Sequence, residues 1–268
     1  MGRLAIIAGR GALPHQIAKK HPEALFVSIS GTDVDAPQGV DSAEISYERF
    51  GQLFRTLRGA GTTDVVMAGG MVRPVLNPAR FDTKTMMLAP RFLKAMQGGD
   101  DQLLRTVVSA FEEEGFAVRG AHELLPDLTA KPGRLAGRKP SSKDNADIDR
   151  AIEILTALGP LDVGQGAVVA QSLCFGIETV QGTDALLQYV GDTRHKLRHQ
   201  GGVLVKVPKP GQDLRVDMPT IGPRTIEGVQ KAGLNGIVIA AGKVMIIDRP
   251  AAIEAAEKAG LFLLAKDV

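Results

Sequence analysis

The stretch Leu4-Ala5-Ile6-Ile7-Ala8-Gly9-Arg10-Gly11-Ala12-Leu13-Pro14 decides how the first half of the chain is read. Five apolar residues cut off by glycine predict a short, fully buried strand over Leu4 to Ala8. Gly9 and Gly11 permit a tight turn, and a helix follows that ends near Lys20. The same alternation recurs downstream. Leu25 to Ile29 reads as a strand, and Phe50 to Gly59 as a helix with Leu53, Phe54 and Leu57 on one face. Val65 to Ala68 is a third strand, closed by Gly69-Gly70-Met71-Val72-Arg73-Pro74. Asp100 is a candidate N-cap for a helix over Asp101 to Glu114 that stops at Gly115. Phe116 to Arg119 is a further strand, leading into Gly120-Ala121-His122-Glu123. Apolar strands alternating with helices imply a mostly parallel sheet covered on both faces. Residues 1–130 are therefore expected to form a Rossmann-like N-terminal α/β domain.

Beyond it the composition changes. From Pro126 to Asn145 the chain is rich in Pro, Gly, Lys, Arg and Ser, and residues 131–145 read as a linker. Order resumes with a helix over Asp147 to Leu158. Ala167 to Gln171 and Phe175 to Val180 read as paired strands, and Gly182-Thr183-Asp184 opens a helix through Tyr189. Val203 to Val207 is a β-branched strand. Pro223 suits a helix N1 position, and that helix runs to Lys231 before Gly233. Gly236 to Ala240 and Val244 to Ile247 read as strands joined by a tight turn near Gly242. A helix from Pro250 to Lys258 and a strand over Leu261 to Leu264 complete a C-terminal α/β domain, residues 146–268. Two α/β domains with a substrate cleft between them is the expected architecture.

Composition narrows the function classes. The chain has 268 residues, 44% apolar and 23% charged, as in soluble globular proteins. Net charge is only +2, without a basic block, and there are nine Phe, two Tyr and no Trp. Neither a nucleic-acid backbone nor a base-stacking platform is expected. The single cysteine, Cys174, excludes a disulfide framework within the chain and is expected to be a buried small hydrophobe. Glycine breaks the first apolar run too soon for a secretory leader, and no run reaches the roughly 20 apolar residues of a membrane span. A cytoplasmic location is expected.

Chemistry concentrates in Lys206-Val-Pro-Lys-Pro-Gly-Gln-Asp-Leu-Arg-Val-Asp-Met-Pro-Thr-Ile-Gly222. Lys206, Lys209, Arg215 and Arg224 surround Asp213 and Asp217, and three prolines stiffen the loop. Asp217, Thr220 and Gly222 lie in the approach to a helix N-terminus, where unpaired N–H groups favour an anion, phosphate above all. An ordinary Asp is ionised at neutrality and a weak base, but its hard oxygens suit Mg²⁺. Holding Mg²⁺ is the first role for Asp217, and orienting a water is the second. Gly9-Arg10-Gly11 lacks the third glycine of a dinucleotide fingerprint, which disfavours a nucleotide-dependent oxidoreductase. His195 and His199 sit four apart in a charged segment that reads as a solvated helix face. His122 follows a strand end, where ligands sit in open α/β sheets. Met71, Met86, Met87 and Met96 suit either an irregular apolar ligand or core packing.

Several of these segments resemble one family in order along nearly the whole chain. They are Ile7-Ala-Gly-Arg-Gly-Ala-Leu-Pro14, Ala68-Gly-Gly-Met-Val-Arg-Pro74, Gly99-Asp-Asp-Gln-Leu-Leu-Arg105, Phe116-Ala-Val-Arg-Gly-Ala-His122, Asp162-Val-Gly-Gln-Gly-Ala-Val-Val169, Gly182-Thr-Asp184 and the central Lys209-to-Gly222 run. The chain is similar to the LpxI family of UDP-2,3-diacylglucosamine pyrophosphatases of lipid A biosynthesis. The resemblance implies hydrolysis of UDP-2,3-diacylglucosamine to 2,3-diacylglucosamine 1-phosphate (lipid X) and UMP, with Mg²⁺. It places the family's essential aspartate on Asp217. It makes Gly11, Ala12, Gly69, Gly70, Met71, Val72, His122, Gly182, Thr183, Asp184, Lys206, Thr220 and Ile221 candidates for substrate contact. One departure is Gln181, where the family pattern leads one to expect an acidic residue. The expected partner is the small lipid substrate, with no nucleic acid; a homodimer and peripheral contact with the inner membrane are carried as open expectations. A non-catalytic UDP-sugar sensor is the rival reading.

Overall fold

The structure, a computed structural model, describes residues 2–71, 76–97, 100–194 and 201–268. The chain divides into one unit of Met1–Leu125 with Arg215–Asp217, and a second of Pro126–Leu214 with Met218–Val268.

In the first unit the chain runs β1 (Arg3–Ala8), α1 (Leu13–Lys20), β2 (Leu25–Ile29), β3 (Ser42–Ile45), α2 (Phe50–Gly59), β4 (Thr62–Ala68), α3 (Thr83–Gln97), α4 (Asp100–Glu113), β5 (Ala117–Arg119) and α5 (Ala121–Leu124). Its five strands lie in the order β3-β2-β1-β4-β5, and every pairing is parallel. This is the Rossmann-like sheet expected from the apolar runs. The chain steps outward from β1 through β2 to β3, then returns to lay β4 on the other side of β1. That reversal is the topological switch point at which open α/β sheets leave a crevice beyond their carboxyl ends. Beneath it Phe54 meets Phe111 edge-on at 5.4 Å, in a core shared with Phe92 and Phe116.

Two elements escaped the pattern. β3 is a short edge strand whose only fully buried residue is Ile45, so it has no apolar run to announce it. α3 carries Pro90 inside it. Its first turn is held by Asp82, which accepts from the Thr85 N–H at 2.9 Å and the Thr85 hydroxyl at 2.8 Å. Core packing is not the role of two of its methionines: Met86 and Met87 are 63% and 70% exposed, with Leu93 exposed beside them, while Met96 is half-buried.

The second unit runs β6 (Gly133–Ala136), α6 (Ser142–Leu158), β7 (Gly166–Ala170), β8 (Leu173–Ile177), α7 (Gly182–Arg194), β9 (Val203–Lys206), β10 (Thr220–Ile221), α8 (Pro223–Lys231), β11 (Gly236–Ala240), β12 (Met245–Ile246), α9 (Arg249–Lys258) and β13 (Phe262–Lys266). Six strands form a mixed sheet in the order β6-β13-β11-β9-β7-β8. β9, β11 and β13 are mutually parallel, while β6 and β7 run against their neighbours.

Four expectations are corrected here. Residues 131–145 do not stay apart as a linker: Gly133–Ala136 satisfies the otherwise open edge of β13. Ser141 then caps α6 through the Asp144 N–H, which starts that helix at Ser142 rather than Asp147. The strand at Met245–Ile246 does not fold back on β11, because β9 and β13 already occupy both edges of β11; it pairs with Thr220–Ile221 in a separate two-stranded sheet. Cys174 is exposed, not buried, because β8 is the sheet's edge strand.

Candidate functional site

At the switch point of the first unit, the turns after β1 and β4 are locked together. Gly9 N–H donates to the Ala68 carbonyl at 2.7 Å, and Arg10 and Gly70 exchange two backbone hydrogen bonds of 2.8 Å. A Cβ on Gly9 would lie 2.7 Å from the Gly70 oxygen, and one on Gly69 would lie 2.6 Å from the Arg10 oxygen. Gly69 also has φ +92. Only glycines allow this approach. The lock leaves Gly11, Ala12, Gly69, Gly70 and Met71 all exposed at the strand ends, with Ala12 at the N-cap of α1. Two exposed turns meeting a helix N-terminus form a backbone cradle suited to an anionic group. Val72, and the His195 and His199 pair, lie outside the described residues.

His122 stands beyond the neighbouring strand, β5. Its ring lies across Gly120, where a Cβ would come 2.6 Å from Nδ1. That Nδ1 is buried and has no partner among the described residues. Such an atom is costly unless a water or ligand satisfies it. The Tyr47 hydroxyl, just past β3, is in the same position. Burial raises its pKa, against the nearby charge of Arg10. Nothing in the sequence pattern singled out Tyr47.

Asp217 is placed differently from the expectation, which had it within the C-terminal domain. Arg215–Asp217 goes with the first unit. Val216 packs on that unit's core, and Arg215 Nη1 donates to Glu112 Oε1 at 2.8 Å. Asp217 is half-buried at the end of this short segment.

In the second unit the candidates converge on a buried carboxylate. Lys206, at the end of β9, is 4% exposed. Its Nζ donates to Thr183 Oγ1 at 2.5 Å and approaches Glu178 Oε1 at 3.4 Å. Thr183 in turn donates to Glu178 Oε1 at 2.8 Å. Glu178 itself was missed. It sits inside the apolar run Phe175 to Val180 read as a strand, and no motif singled it out. A Cβ on Gly166 would lie 2.5 Å from Glu178 Oε2. Gly182, with φ +85, starts α7 beside this group.

Asp184, in the first turn of α7, accepts from Arg224 Nη2 at 2.7 Å in the first turn of α8. The two helix starts are thereby neighbours. Thr220 is half-buried and donates to the Met218 carbonyl at 3.1 Å. The Ile221 side chain is a core residue, 1% exposed, so only its backbone is available to a ligand. Each cation has at least one partner outside the central stretch: Lys209 with Asp162, Arg215 with Glu112, Arg224 with Asp184 and Lys206 with Glu178.

The donor set bears on Mg²⁺. Among the described residues no three His, Cys, Asp or Glu side chains gather into a metal cage. Mg²⁺ commonly takes one or two carboxylates, keeps several waters and shares substrate phosphates. A carboxylate such as Asp217 fits an ion held jointly with a diphosphate, and does not make an all-protein site.

Comparison with known proteins bears on the whole chain. A family model for the LpxI N-terminal domain matches residues 3–128, and one for the LpxI C-terminal domain matches residues 131–264. A protein of Caulobacter vibrioides named UDP-2,3-diacylglucosamine pyrophosphatase LpxI is 40% identical over 279 residues, which cover 100% of this chain and 98% of that protein.

Proposed function

This chain belongs to the LpxI family, and on that footing we propose that it acts as its Caulobacter relative is named. It is a UDP-2,3-diacylglucosamine pyrophosphatase of lipid A biosynthesis. It hydrolyses the diphosphate of its substrate to 2,3-diacylglucosamine 1-phosphate and UMP. The observation that carries the reading within the structure is the pair of interlocked glycine turns at the switch point.

Hydrolysing a diphosphate asks the protein for positioning and for stabilisation of charge on phosphoryl oxygens, with little covalent chemistry of its own. We assign the exposed backbone at Gly11, Ala12, Gly69 and Gly70 to an anionic part of the substrate. His122 contacts substrate through the unpartnered Nδ1. In the second unit we assign Lys206 and Thr183, with the start of α7 at Gly182 and Asp184, to contact with an anionic oxygen of substrate, and Thr220 stands near the start of α8. Asp217 is the central catalytic carboxylate and, with the substrate diphosphate, the holder of Mg²⁺. Bound there, Mg²⁺ would neutralise charge on the phosphoryl oxygens.

The protein is proposed to meet its lipid substrate at the cytoplasmic face of the inner membrane. Among the described residues no helix is long and apolar enough to cross a membrane. α3 supports a surface contact: Met86, Met87, Pro90 and Leu93 are outward-facing, and the helix carries Lys84, Arg91 and Lys94 but no acid. Apolar side chains interleaved with cations suit an anionic lipid surface.

The test of the activity is release of UMP from UDP-2,3-diacylglucosamine by the purified protein, with Mg²⁺ and with EDTA. Turnover that EDTA abolishes is the expected result. Tight binding of the substrate with no turnover in either condition would leave a UDP-sugar sensor instead.

A further inference from the structure

The reading above gives Lys206 a role but leaves its buried partner in the second unit, Glu178, without one. Glu178 and Lys206 form an ion pair whose side chains are 9% and 5% exposed. Burying two opposite charges is a poor way to gain stability, because desolvation offsets the attraction. The geometry is also incomplete as a mere strut. Glu178 Oε1 takes the Thr183 hydroxyl and faces Lys206, yet Glu178 Oε2 is buried with no partner among the described residues. An ammonium has three donors, and Lys206 spends one on Thr183 and one on the long contact to Glu178.

The surroundings are shaped to keep the carboxylate in place. A Cβ on Gly164 would collide with the Glu178 carbonyl, and one on Gly166 with Oε2. The Glu178 N–H donates to the Gly166 carbonyl at 2.7 Å. Gly166 is itself paired in register with Lys206 across β7 and β9. Three separated segments, Gly164 to Gly166, Glu178 to Thr183 and Lys206, therefore meet around one residue, Glu178. They do so at the end of β9 and the start of α7.

We propose that Glu178 is a positioning residue: through Oε1 it holds the Lys206 ammonium and the Thr183 hydroxyl so that the remaining Lys206 donor serves an anionic oxygen of the substrate. The inference rests on the assignment of Lys206 to substrate made above. Gly166 then makes room for that carboxylate and Gly164 for the Glu178 backbone, which gives the glycine pair a physical reason. Glu178 takes no part in the bond-breaking step.

The experiment measures kcat and KM for UMP release, with melting temperatures, for wild type and Glu178→Gln, Glu178→Ala, Lys206→Met and the Glu178→Ala/Lys206→Met double variant. Loss of an interaction made equally with substrate and transition state raises KM and leaves kcat. Glu178→Ala and Lys206→Met should each raise KM roughly tenfold or more, with kcat within about threefold. Glu178→Gln keeps an acceptor at Oε1 and should recover most of the Ala loss. The double variant should be no worse than Lys206→Met, since the two act as one unit. Wild-type KM in a folded Glu178→Ala, or additive losses in the double variant, overturns the proposal. If Glu178→Ala does not fold, Thr183→Val decides: it removes the bridging hydroxyl without deleting either charge, and a wild-type KM there also overturns it. Failure of the underlying assignment looks different, as an unchanged KM in Lys206→Met beside an active wild type.

Discussion

Arg215 Nη1 donates to Glu112 Oε1 at 2.8 Å and so fastens the segment ending in Asp217 to the last turn of α4. Val216 buries against the same unit, and the two contacts together set where the half-buried Asp217 stands. Both partners of the ion pair are partly exposed, 35% and 46% at their side chains. Exposed pairs of this kind contribute about 1 kcal/mol at most. Glu112→Ala should therefore lower kcat by no more than about fivefold, with melting temperature nearly unchanged. Steady-state kinetics on that variant checks it; a loss in kcat well beyond fivefold would contradict it.

The interlocked turns make a sharper prediction. Gly69→Ala adds a Cβ at 2.6 Å from the Arg10 carbonyl in a backbone with φ +92, and Gly9→Ala adds one at 2.7 Å from the Gly70 carbonyl. Both should force the turns apart and raise KM by tenfold or more, on the order of 1–2 kcal/mol of lost binding. Gly11→Ala meets no atom within 4 Å, though φ is +104. It should cost about 1 kcal/mol of stability from backbone strain alone. Paired melting curves and KM values for the three variants separate the two effects.

Acid stability should report on Asp144. Burial opposes its ionisation, but hydrogen bonds from Arg138, Ser141 and Asn235 outweigh that and hold its pKa at about 2, below the usual 3.8. The side chain is 2% exposed. A pKa depressed on folding contributes stability that is complete above the unfolded value and is lost as pH falls through the folded one. The contribution is about 2 kcal/mol. It should be present above roughly pH 4–5 and fade toward pH 2. Asp144→Asn should be less stable at neutral pH and lose less between pH 5 and pH 2 in urea titrations. Parallel acid limbs for variant and wild type would contradict this.

The outward face of α3 is testable with lipid. Met86, Pro90 and Leu93 follow the i, i+4, i+7 spacing of one helix face, and Met87 adjoins them. Lys84 is paired with Glu114, just past α4, and Arg91 with Glu113 at its end, so Lys94 is the cation most available to headgroups. Replacing Met86, Met87 and Leu93 by Gln should cut co-flotation with anionic vesicles roughly tenfold or more. Unchanged flotation, or a loss of dimers in sedimentation, would assign the face to something other than the membrane.

Much of the fold was legible because burial writes itself into apolar runs. Leu4 to Ala8 and Val65 to Ala68 are continuous, Leu25 to Ile29 is broken only by Ser28, and each became a strand of the parallel sheet. What was not legible depends on pairing at a distance. β6 has only Ala136 fully buried and exists because β13 has an open edge. The partner of Met245–Ile246 could not be read, since local pattern does not say that β11 is already paired on both sides. The site divides in the same way. Glycine turns are visible because tight turns demand a residue type. Glu178 was hidden because a lone acid in an apolar strand acquires meaning only when Lys206, 28 positions later, folds beside it.

The most direct test of the account is the initial rate of UMP release from UDP-2,3-diacylglucosamine in saturating Mg²⁺, compared between wild type and Asp217→Ala. The account predicts a loss of at least about a hundredfold in kcat, or roughly 3 kcal/mol, in a protein with an unchanged melting curve. A folded Asp217→Ala that turns over at the wild-type rate would contradict the placement of the catalytic centre on Asp217.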